Sequence, residues 1–377
     1  MEKVIARFGE IGSKSSQVRG QMLNVLRQRV EDRMEYEEIN YSSVSRVSSR
    51  VLVDTPEAKE AAEVIAEIPG VSSCSPVFET EPSLDAIKSA TEELEIGETF
   101  GVDTSRAGEH KFDSMEVNQE IGGFIDSKSE AQVDLDNPET WIRIDLRQDR
   151  AFVYTDVLEG PDGFPVGSQG EMAALISGGI DSPVASYEIM TRGADITPIY
   201  FYNKPIAAED HLLRFRSILD ELEKLHPSKK WRYYVVDMEE INQELMEIGQ
   251  GRMILHRRLM FRIAEKIAEK EGLDGIVTGE SFGQKSSQTA TNLKRTTEAV
   301  DLPVHRPLLT KPKNEITDTA REIGTMERSS IESACTTLSP ENPATELKEH
   351  HLEELEEKLD IREMVESAVE NAEKNLL

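Results

Sequence analysis

The stretch Ala174–Met190, ALISGGIDSPVASYEIM, holds the residues best suited to chemistry. Apolar residues lead into Ser177, Gly178, Gly179, Ile180, Asp181 and Ser182, and a helix-like segment follows. A strand, a glycine-rich turn and a helix start make an anion nest. Glycines let the backbone approach closely, and the free N–H groups of the first helical turn face the anion, favoured by the helix dipole. Pro183 fits the first turn, where its missing N–H costs nothing. A phosphate-transfer loop of the Walker type needs a lysine to reach the terminal phosphates, and none is present. The loop therefore suits a pyrophosphate that departs rather than a phosphoryl group that is transferred. Ser177 and Ser182 offer hydroxyls, and Asp181 could hold Mg²⁺ bridging the phosphates. The bland alternative is a plain strand-to-helix turn.

Other segments carry compatible groups. In VTGESFGQKSSQT, Gly279 allows close approach to a ring or ribose and Gln288 could hydrogen-bond a nucleotide, whereas Ser286, Ser287 and Thr289 could simply cap the next helix. Lys313, in LLTKPKNEI, sits where a helix begins and would oppose its dipole unless an anion is near, so a phosphate contact competes with a solvated surface lysine. Cys335, in IESACTTLSPENP, could be a nucleophile, but a cysteine taken alone is more often a buried apolar filler. Cys74 reads as a core or strand residue, and His256 and His305 fall in no metal-binding spacing.

These groups need a frame to hold them. From about residue 171 to 340 strand and helix patterns alternate. Strands are expected at Met172–Ile176, Ile196–Tyr202, Arg232–Asp237, Gly275–Thr278 and Val304–Leu308, with the longest helix near Ile254–Lys270. Such alternation predicts a parallel sheet covered on both faces, with its site at the carboxyl ends of the strands. Upstream, SSQVRGQMLNVLRQRVEDR has apolar residues at helical spacing, and TWIRIDLRQDRAFVYTD reads as strand, turn, strand. The Gly/Pro-rich LEGPDGFPVGSQG reads as a linker. The tail, PATELKEHHLEELEEKLDIREMVESAVENAEKNLL, predicts acidic helices with a solvated face.

The 377 residues carry a net charge of −29, against the basic balance usual in nucleic-acid binders. The acidity is spread along the chain and lysine is scarce, a pattern that keeps proteins hydrated in molar salt; a halophilic source is expected. At about 1 M salt the Debye length is about 3 Å, so a local basic patch could still hold a phosphate. Two cysteines exclude a disulfide framework and a multi-cysteine metal site, and no metal-ligand cluster is expected. No apolar run approaches membrane-spanning length and MEKVIARFGEIG lacks a signal-peptide core, so the expected setting is a reducing cytoplasm without membrane association.

The S-G-G-x-D-S loop resembles that of the PP-loop ATP pyrophosphatases. GFPVGSQGEMAALISGGIDSPVASY, TGESFGQKSSQTATNL and HRPLLTKPKNEI together resemble the tRNA 4-thiouridine synthase (tRNA uracil 4-sulfurtransferase) family, archaeal-type without a rhodanese domain. RFGEIGSKSSQVR resembles that family's N-terminal start, and TFGVDTSRAGEHKFDS resembles its THUMP domain. The resemblance runs from about Lys3 to Cys335. It implies an α/β chain: a ferredoxin-like domain at 1–56, a THUMP RNA-binding domain at 57–160, a linker at 161–171, a Rossmann-like PP-loop domain at 172–340 and the acidic tail at 341–377.

The implied activity is ATP-dependent transfer of sulfur to uridine 8 of tRNA. The uracil 4-oxygen is adenylylated, and cysteine persulfide or sulfide then attacks. Residues matching the family's ATP-binding positions are Leu175, Ile176, Ser177, Gly178, Gly179, Asp181, Ser182, Tyr200, Phe201, Arg257, Gly279 and Gln288. Asp181 and Lys313 are expected at the reacting phosphates, and Cys335 aligns with the family cysteine that presents sulfur. RNA phosphates are expected at Arg106, Lys111, Lys294 and Arg295. The implied partners are tRNA and a sulfur donor, either a persulfide-carrying protein or sulfide; a homodimer and the thiamine role of some relatives are open. Competing readings are another PP-loop adenylylating enzyme, which would need neither Cys335 nor the THUMP-like segment, and a non-catalytic tRNA-binding adaptor.

Overall fold

Strand β1 (Lys3–Arg7) buries Val4, Ile5 and Ala6 completely. It organises the first of two units into which the chain divides, Met1–Gly163 and Phe164–Leu377. The computed structural model describes residues 1–47, 50–204, 210–329 and 345–377.

In the first unit, β1 is followed by α1 (Ser16–Tyr36), β2 (Ser43–Val47), β3 (Arg50–Asp54), α2 (Ala58–Ala66) and β4 (Ser73–Thr80). β1 pairs antiparallel with β3 on one side and β4 on the other, and α2 packs on both β1 and β4 through Ala58, Ala61, Ala62 and Ile65. The βαββαβ order of a ferredoxin-like fold thus closes only at β4. The boundary expected at residue 56 cuts through this sheet, because a turn at Pro56 marks a chain reversal but not which sheet the next strand joins.

The far end of β4 pairs with β8 (Ala151–Tyr154) and so carries the same sheet onward. Its remaining elements are α3 (Leu84–Thr91), β5 (Thr99–Arg106), α4 (Ser114–Lys128), β6 (Gln132–Val133), β7 (Thr140–Leu146) and β9 (Leu158–Glu159). Among the described residues the order is β2-β3-β1-β4-β8-β7-β5-β6, with β9 on β4. Helix α4 opens on a capping box: the Asp113 side chain accepts from the Glu116 amide, and the Glu116 side chain accepts from the Asp113 amide, each at 2.8 Å. Cys74 of β4 is fully buried, as its strand pattern predicts.

The second unit has the alternation read from the sequence. β10 (Glu171–Leu175), α5 (Asp181–Thr191), β11 (Asp195–Tyr202), α6 (Asp210–Glu223), β12 (Arg232–Asp237), α7 (Glu239–Met246), α8 (Arg252–Glu271), β13 (Ile276–Val277), α9 (Ala290–Thr297), β14 (Val304–His305) and α10 (Lys313–Glu322) follow in turn. The sheet order is β14-β13-β10-β11-β12-β15, parallel except at its last pair. Order reverses beside β10, which places a crevice at that strand's carboxyl end. One apolar core lies on each face of the sheet, around Phe215 and Trp231 on one side and around Phe261 and Leu259 on the other.

The tail forms helices with exposed acidic residues such as Glu353 and Glu354, and it also has a buried apolar face that the sequence reading did not assign. After α11 (Glu349–Glu356) and α12 (Ile361–Glu370), β15 (Glu373–Leu376) pairs antiparallel with the edge strand β12. Leu347, Leu352, Leu355, Met364, Val365 and Ala368 are buried in the same core as Leu259 and Ile263 of α8. The apolar residues recur at three- and four-residue spacing inside an acidic composition, so one face of each helix is apolar even though the net charge is high.

Candidate active site

β10 ends at Leu175, and the chain turns through Ser177–Ile180 into α5. The turn is braced from within. The Ser182 hydroxyl accepts from the Ser177 amide at 2.8 Å and lies 3.1 Å from the Ser177 hydroxyl, which in turn accepts from the Gly179 amide at 3.3 Å. Both serine hydroxyls thus hold the shape of the loop, a role beyond the anion contact expected of them. Neither glycine is required by packing. An ideal Cβ at Gly178 would meet nothing within 4 Å, and one at Gly179 would only touch the Ser177 hydroxyl at 3.4 Å. The missing side chains leave bare backbone beside the first, unpartnered amides of α5.

Gly279 lines the cleft, as the close approach to a ring or ribose expected of it requires, and it also serves packing. Its ideal Cβ would fall 2.8 Å from the carbonyl carbon of Asp181 and from the amide nitrogen of Ser182. The absent side chain lets the β13 end lie directly against the start of α5.

These segments enclose a cleft of about 310 Å³, lined among others by Leu175, Gly179, Asp181, Arg257, Gln288 and Lys313. With Ser177, Ser182 and Gly279, which also line it, nine expected positions from five segments of the chain meet there. The Lys313 ammonium donates to Asp181 Oδ1 across the cleft, which gives the lysine at the start of α10 a counter-ion in the protein itself. Gln288 is buried, and its Oε1 has no hydrogen-bond partner among the described residues, an acceptor in search of a donor. Ile176, Gly178, Tyr200 and Phe201 are not among the lining residues. Tyr200 stacks on Phe215 at 4.8 Å in one core and Phe201 is buried in the other, so at these two positions β11 offers a ligand backbone rather than side chain.

The cleft also holds residues that sequence reasoning left unassigned. Glu280 is 1% exposed and accepts from both Arg257 and Arg306. The signal was present as the acid after Thr278-Gly279 and the arginine in VHRPLL, but local sequence does not show that they meet. His256 of α8 lines the cleft beside Arg257, fully buried. Its Nε2 lies 3.0 Å from Asn203 Oδ1, and Asn203 is bonded by Asn242 at 3.3 Å. Burial, with Arg257 adding to it, pushes the imidazole down to about 4, so it is neutral at pH 7.

Among the described residues no group of three His, Cys, Asp or Glu is placed to hold a metal by protein ligands alone. Asp181 lines the cleft at the start of α5, and one carboxylate there fits the usual way Mg²⁺ is held, by one or two carboxylates together with substrate phosphates.

Of the basic candidates, Arg106 and Lys111 are exposed on the first unit. Arg295 is not a free cation: it pairs with Glu298 at 2.9 Å and Glu349 at 3.0 Å. Lys294 is largely exposed, 3.5 Å from Glu298. Cys335 lies outside the described residues. Burial pushes the Cys74 thiol up to about 12, which keeps it protonated and unreactive.

Comparison with known proteins adds independent findings. Residues 167–361 match the family model described as thiamine biosynthesis protein (ThiI), residues 83–156 the THUMP domain, and residues 3–75 the ThiI ferredoxin-like domain. A probable tRNA sulfurtransferase of Halobacterium salinarum is 39% identical over 354 residues, covering 91% of this chain and 90% of the relative. One from Thermococcus kodakarensis is 34% identical over 355 residues, covering 90% and 92%. A crystal structure of a 4-thiouridine synthetase–RNA complex with bound ATP superposes with a TM-score of 0.88 at 31% identity, covering 100% of both chains. The crystal structure of PH1313 from Pyrococcus horikoshii superposes with a TM-score of 0.67 at 26% identity, covering 86% of this chain and 100% of that one.

Proposed function

The chain belongs to the ThiI family of tRNA sulfurtransferases, and from that premise we propose that it transfers sulfur to uridine 8 of tRNA at the expense of ATP, giving 4-thiouridine. The observation that carries the reading is the bare-backbone loop Ser177–Ile180 facing Lys313 across the cleft.

In this reading the β- and γ-phosphates of ATP rest on the amides at the start of α5, and the adenosine lies toward Gln288 and the end of β11. The uracil 4-oxygen attacks the α-phosphorus and pyrophosphate leaves. Lys313 and the loop amides oppose the charge that grows on the departing oxygen, the kind of preorganised electrostatics that carries the largest share of many rate enhancements. Lys313 and Asp181 exchange their contact with each other for contacts with the nucleotide. Asp181 is the ligand we assign to Mg²⁺, which when bound neutralises phosphate charge.

The 4-carbon then carries AMP as a good leaving group. Sulfide attacks it directly and AMP departs. If Cys335 bears the sulfur as a persulfide, its outer sulfur attacks, AMP departs, and a thiol reductant cleaves the resulting disulfide to release 4-thiouridine. The role of Cys335 rests on the family resemblance. Exposed Arg106 and Lys111 of the first unit are the RNA contacts we assign, with Lys294 the remaining candidate on the second. The pairing of Arg295 with two carboxylates argues for a structural role there. The setting we propose is the cytoplasm; no described helix is long and apolar enough to cross a membrane.

Incubation with unmodified tRNA, labelled ATP and a sulfide source tests the whole. AMP formation that depends on both tRNA and sulfide, with 4-thiouridine in the RNA, is the expected result. AMP formation that requires an amine donor instead, or tRNA binding without ATP turnover, would replace the proposal by another adenylylating enzyme or an adaptor.

A further inference from the structure

Glu280 joins three segments of the catalytic unit. Its Oε1 accepts from Arg257 on α8, and its Oε2 accepts from Arg306 Nε, just past β14, at 2.8 Å. Arg306 is fixed again by donating to Thr297 Oγ1 at 3.0 Å, and its guanidinium lies over the Phe261 ring, 5.8 Å from the centroid. Backbone bonds lace the same two loops together: the Thr278 amide donates to the His305 carbonyl and the Phe282 amide to the Leu309 carbonyl, each at 3.1 Å.

The charge count gives this arrangement a purpose. A lone Arg–Glu pair is neutral, costs desolvation when buried, and has little pull on a polyphosphate. Two guanidiniums sharing one carboxylate keep a net positive charge. Arg257 and Glu280 line the cleft, whereas Arg306 is not among the lining residues and stands behind them. We infer that Glu280 is a positioning residue that aims Arg257 at the nucleotide, and that Arg306, without touching it, supplies the positive charge that Glu280 would otherwise cancel. This rests on the reading of the cleft as the ATP site.

Calorimetric titration with Mg·ATP of the full-length wild type, Glu280→Gln, Arg306→Met, Arg306→Lys, Arg257→Met and the double variant Glu280→Gln/Arg257→Met tests it, with thermal unfolding followed in parallel. Glu280→Gln and Arg306→Met are each expected to weaken ATP binding about tenfold, the scale of one charge-assisted contact: in the first the lost aim of Arg257 outweighs the negative charge removed, and in the second Glu280 is left to cancel Arg257. Arg306→Lys keeps the charge but loses the two-point contact with Glu280 and Thr297, so it recovers only part of the loss seen in Arg306→Met. The double variant binds no more weakly than Arg257→Met alone, because Glu280 acts through Arg257; a merely structural Glu280 would give additive losses instead. Affinity for tRNA stays unchanged throughout. Wild-type ATP affinity in both Glu280→Gln and Arg306→Met, or additivity in the double variant, overturns the inference. Should Glu280→Gln fail to fold, Arg306→Met against Arg306→Lys decides, since both leave the Glu280–Arg257 pair in place. A wild type that binds no ATP would instead remove the underlying reading of the cleft.

Discussion

The Lys313 ammonium and the Asp181 carboxylate meet across 132 residues of chain, one at the start of α10 and the other at the start of α5. Each sits where a helix dipole favours an anion, so Asp181 is well placed and Lys313 is badly placed unless it is neutralised. The two side chains are 29% and 51% exposed, and pairs this wet contribute no more than about 1 kcal/mol. Stability therefore does not account for the contact. Lys313→Ala and Asp181→Ala are expected to leave the melting temperature nearly unchanged and to lower pyrophosphate release at least about 100-fold, the first by removing a transition-state donor and the second by removing the carboxylate assigned to Mg²⁺. Normal pyrophosphate release from either variant would remove that residue from the site.

Gly178 and Gly279 differ in what a side chain would meet: Gly178 stands in the loop beside the cleft, and Gly279 both lines the cleft and packs against the start of α5. A Cβ at Gly178 has open space, whereas one at Gly279 would strike the backbone of Asp181 and Ser182. Gly178→Ala should melt like the wild type yet bind ATP about tenfold more weakly, since its methyl group covers the bare backbone. Gly279→Ala should lose about 1–3 kcal/mol of stability as well, the range for overpacking a closed site. Chemical denaturation alongside nucleotide titration reads both quantities. Equal destabilisation by the two substitutions would refute the distinction.

The neutrality of buried His256 sets a pH dependence. Its folded-state value of about 4 lies below the ordinary imidazole value of 6.5, so between these limits the unfolded chain binds the extra proton. Stability from this group is complete above pH 6.5 and falls as the pH drops toward 4, by about 3 kcal/mol if the whole shift is expressed. Denaturation at pH 7 and pH 5 should show a loss in the wild type that is reduced in His256→Gln. An unchanged pH slope in the variant would show that other groups govern the acid limb.

Much of the catalytic unit was legible in the sequence because its signals are local. Met172–Ile176, Ile196–Tyr202 and Arg232–Asp237 are apolar runs bounded by turns, and they appear as strands within one residue at either end. The loop at Ser177–Ser182 announces itself by composition. Other features were not legible, for physical reasons. Tyr200 and Phe201 lie on a strand buried on both faces, so no polar alternation marks which core each side chain enters. The Arg257–Glu280–Arg306 group joins residues 23 and 26 positions apart through a fold that no short window contains. The tail's acidic helices were legible, but their buried apolar face was not, because the charge was conspicuous and the apolar spacing was not.

That tail offers the sharpest stability test. Leu355 is 6% exposed, and an ideal Cβ on Gly251, at the start of α8, would fall 2.7 Å from its Cδ1. Beside it, Glu356 accepts from Arg258 at 2.8 and 3.1 Å and from Arg262 at 2.6 and 3.3 Å. Burial pushes the Glu356 carboxyl up, but the hydrogen bonds from both arginines outweigh it and hold the carboxyl below its usual range. Its contribution is therefore present above the ordinary carboxylate value and is lost as the pH falls through the lowered one. Leu355→Ala is expected to cost about 2–5 kcal/mol, the range for emptying a buried leucine site. Because α11 packs on the helix that presents His256 and Arg257, ATP affinity should fall with it, even though Leu355 does not line the cleft. Glu356→Gln should destabilise at pH 7 and differ progressively less from the wild type as the pH falls below the ordinary carboxylate range and the native carboxylate is itself protonated. A tail that merely lies on the surface would give Leu355→Ala a wild-type melting curve, and hydrogen exchange across α8 would be the same in both proteins.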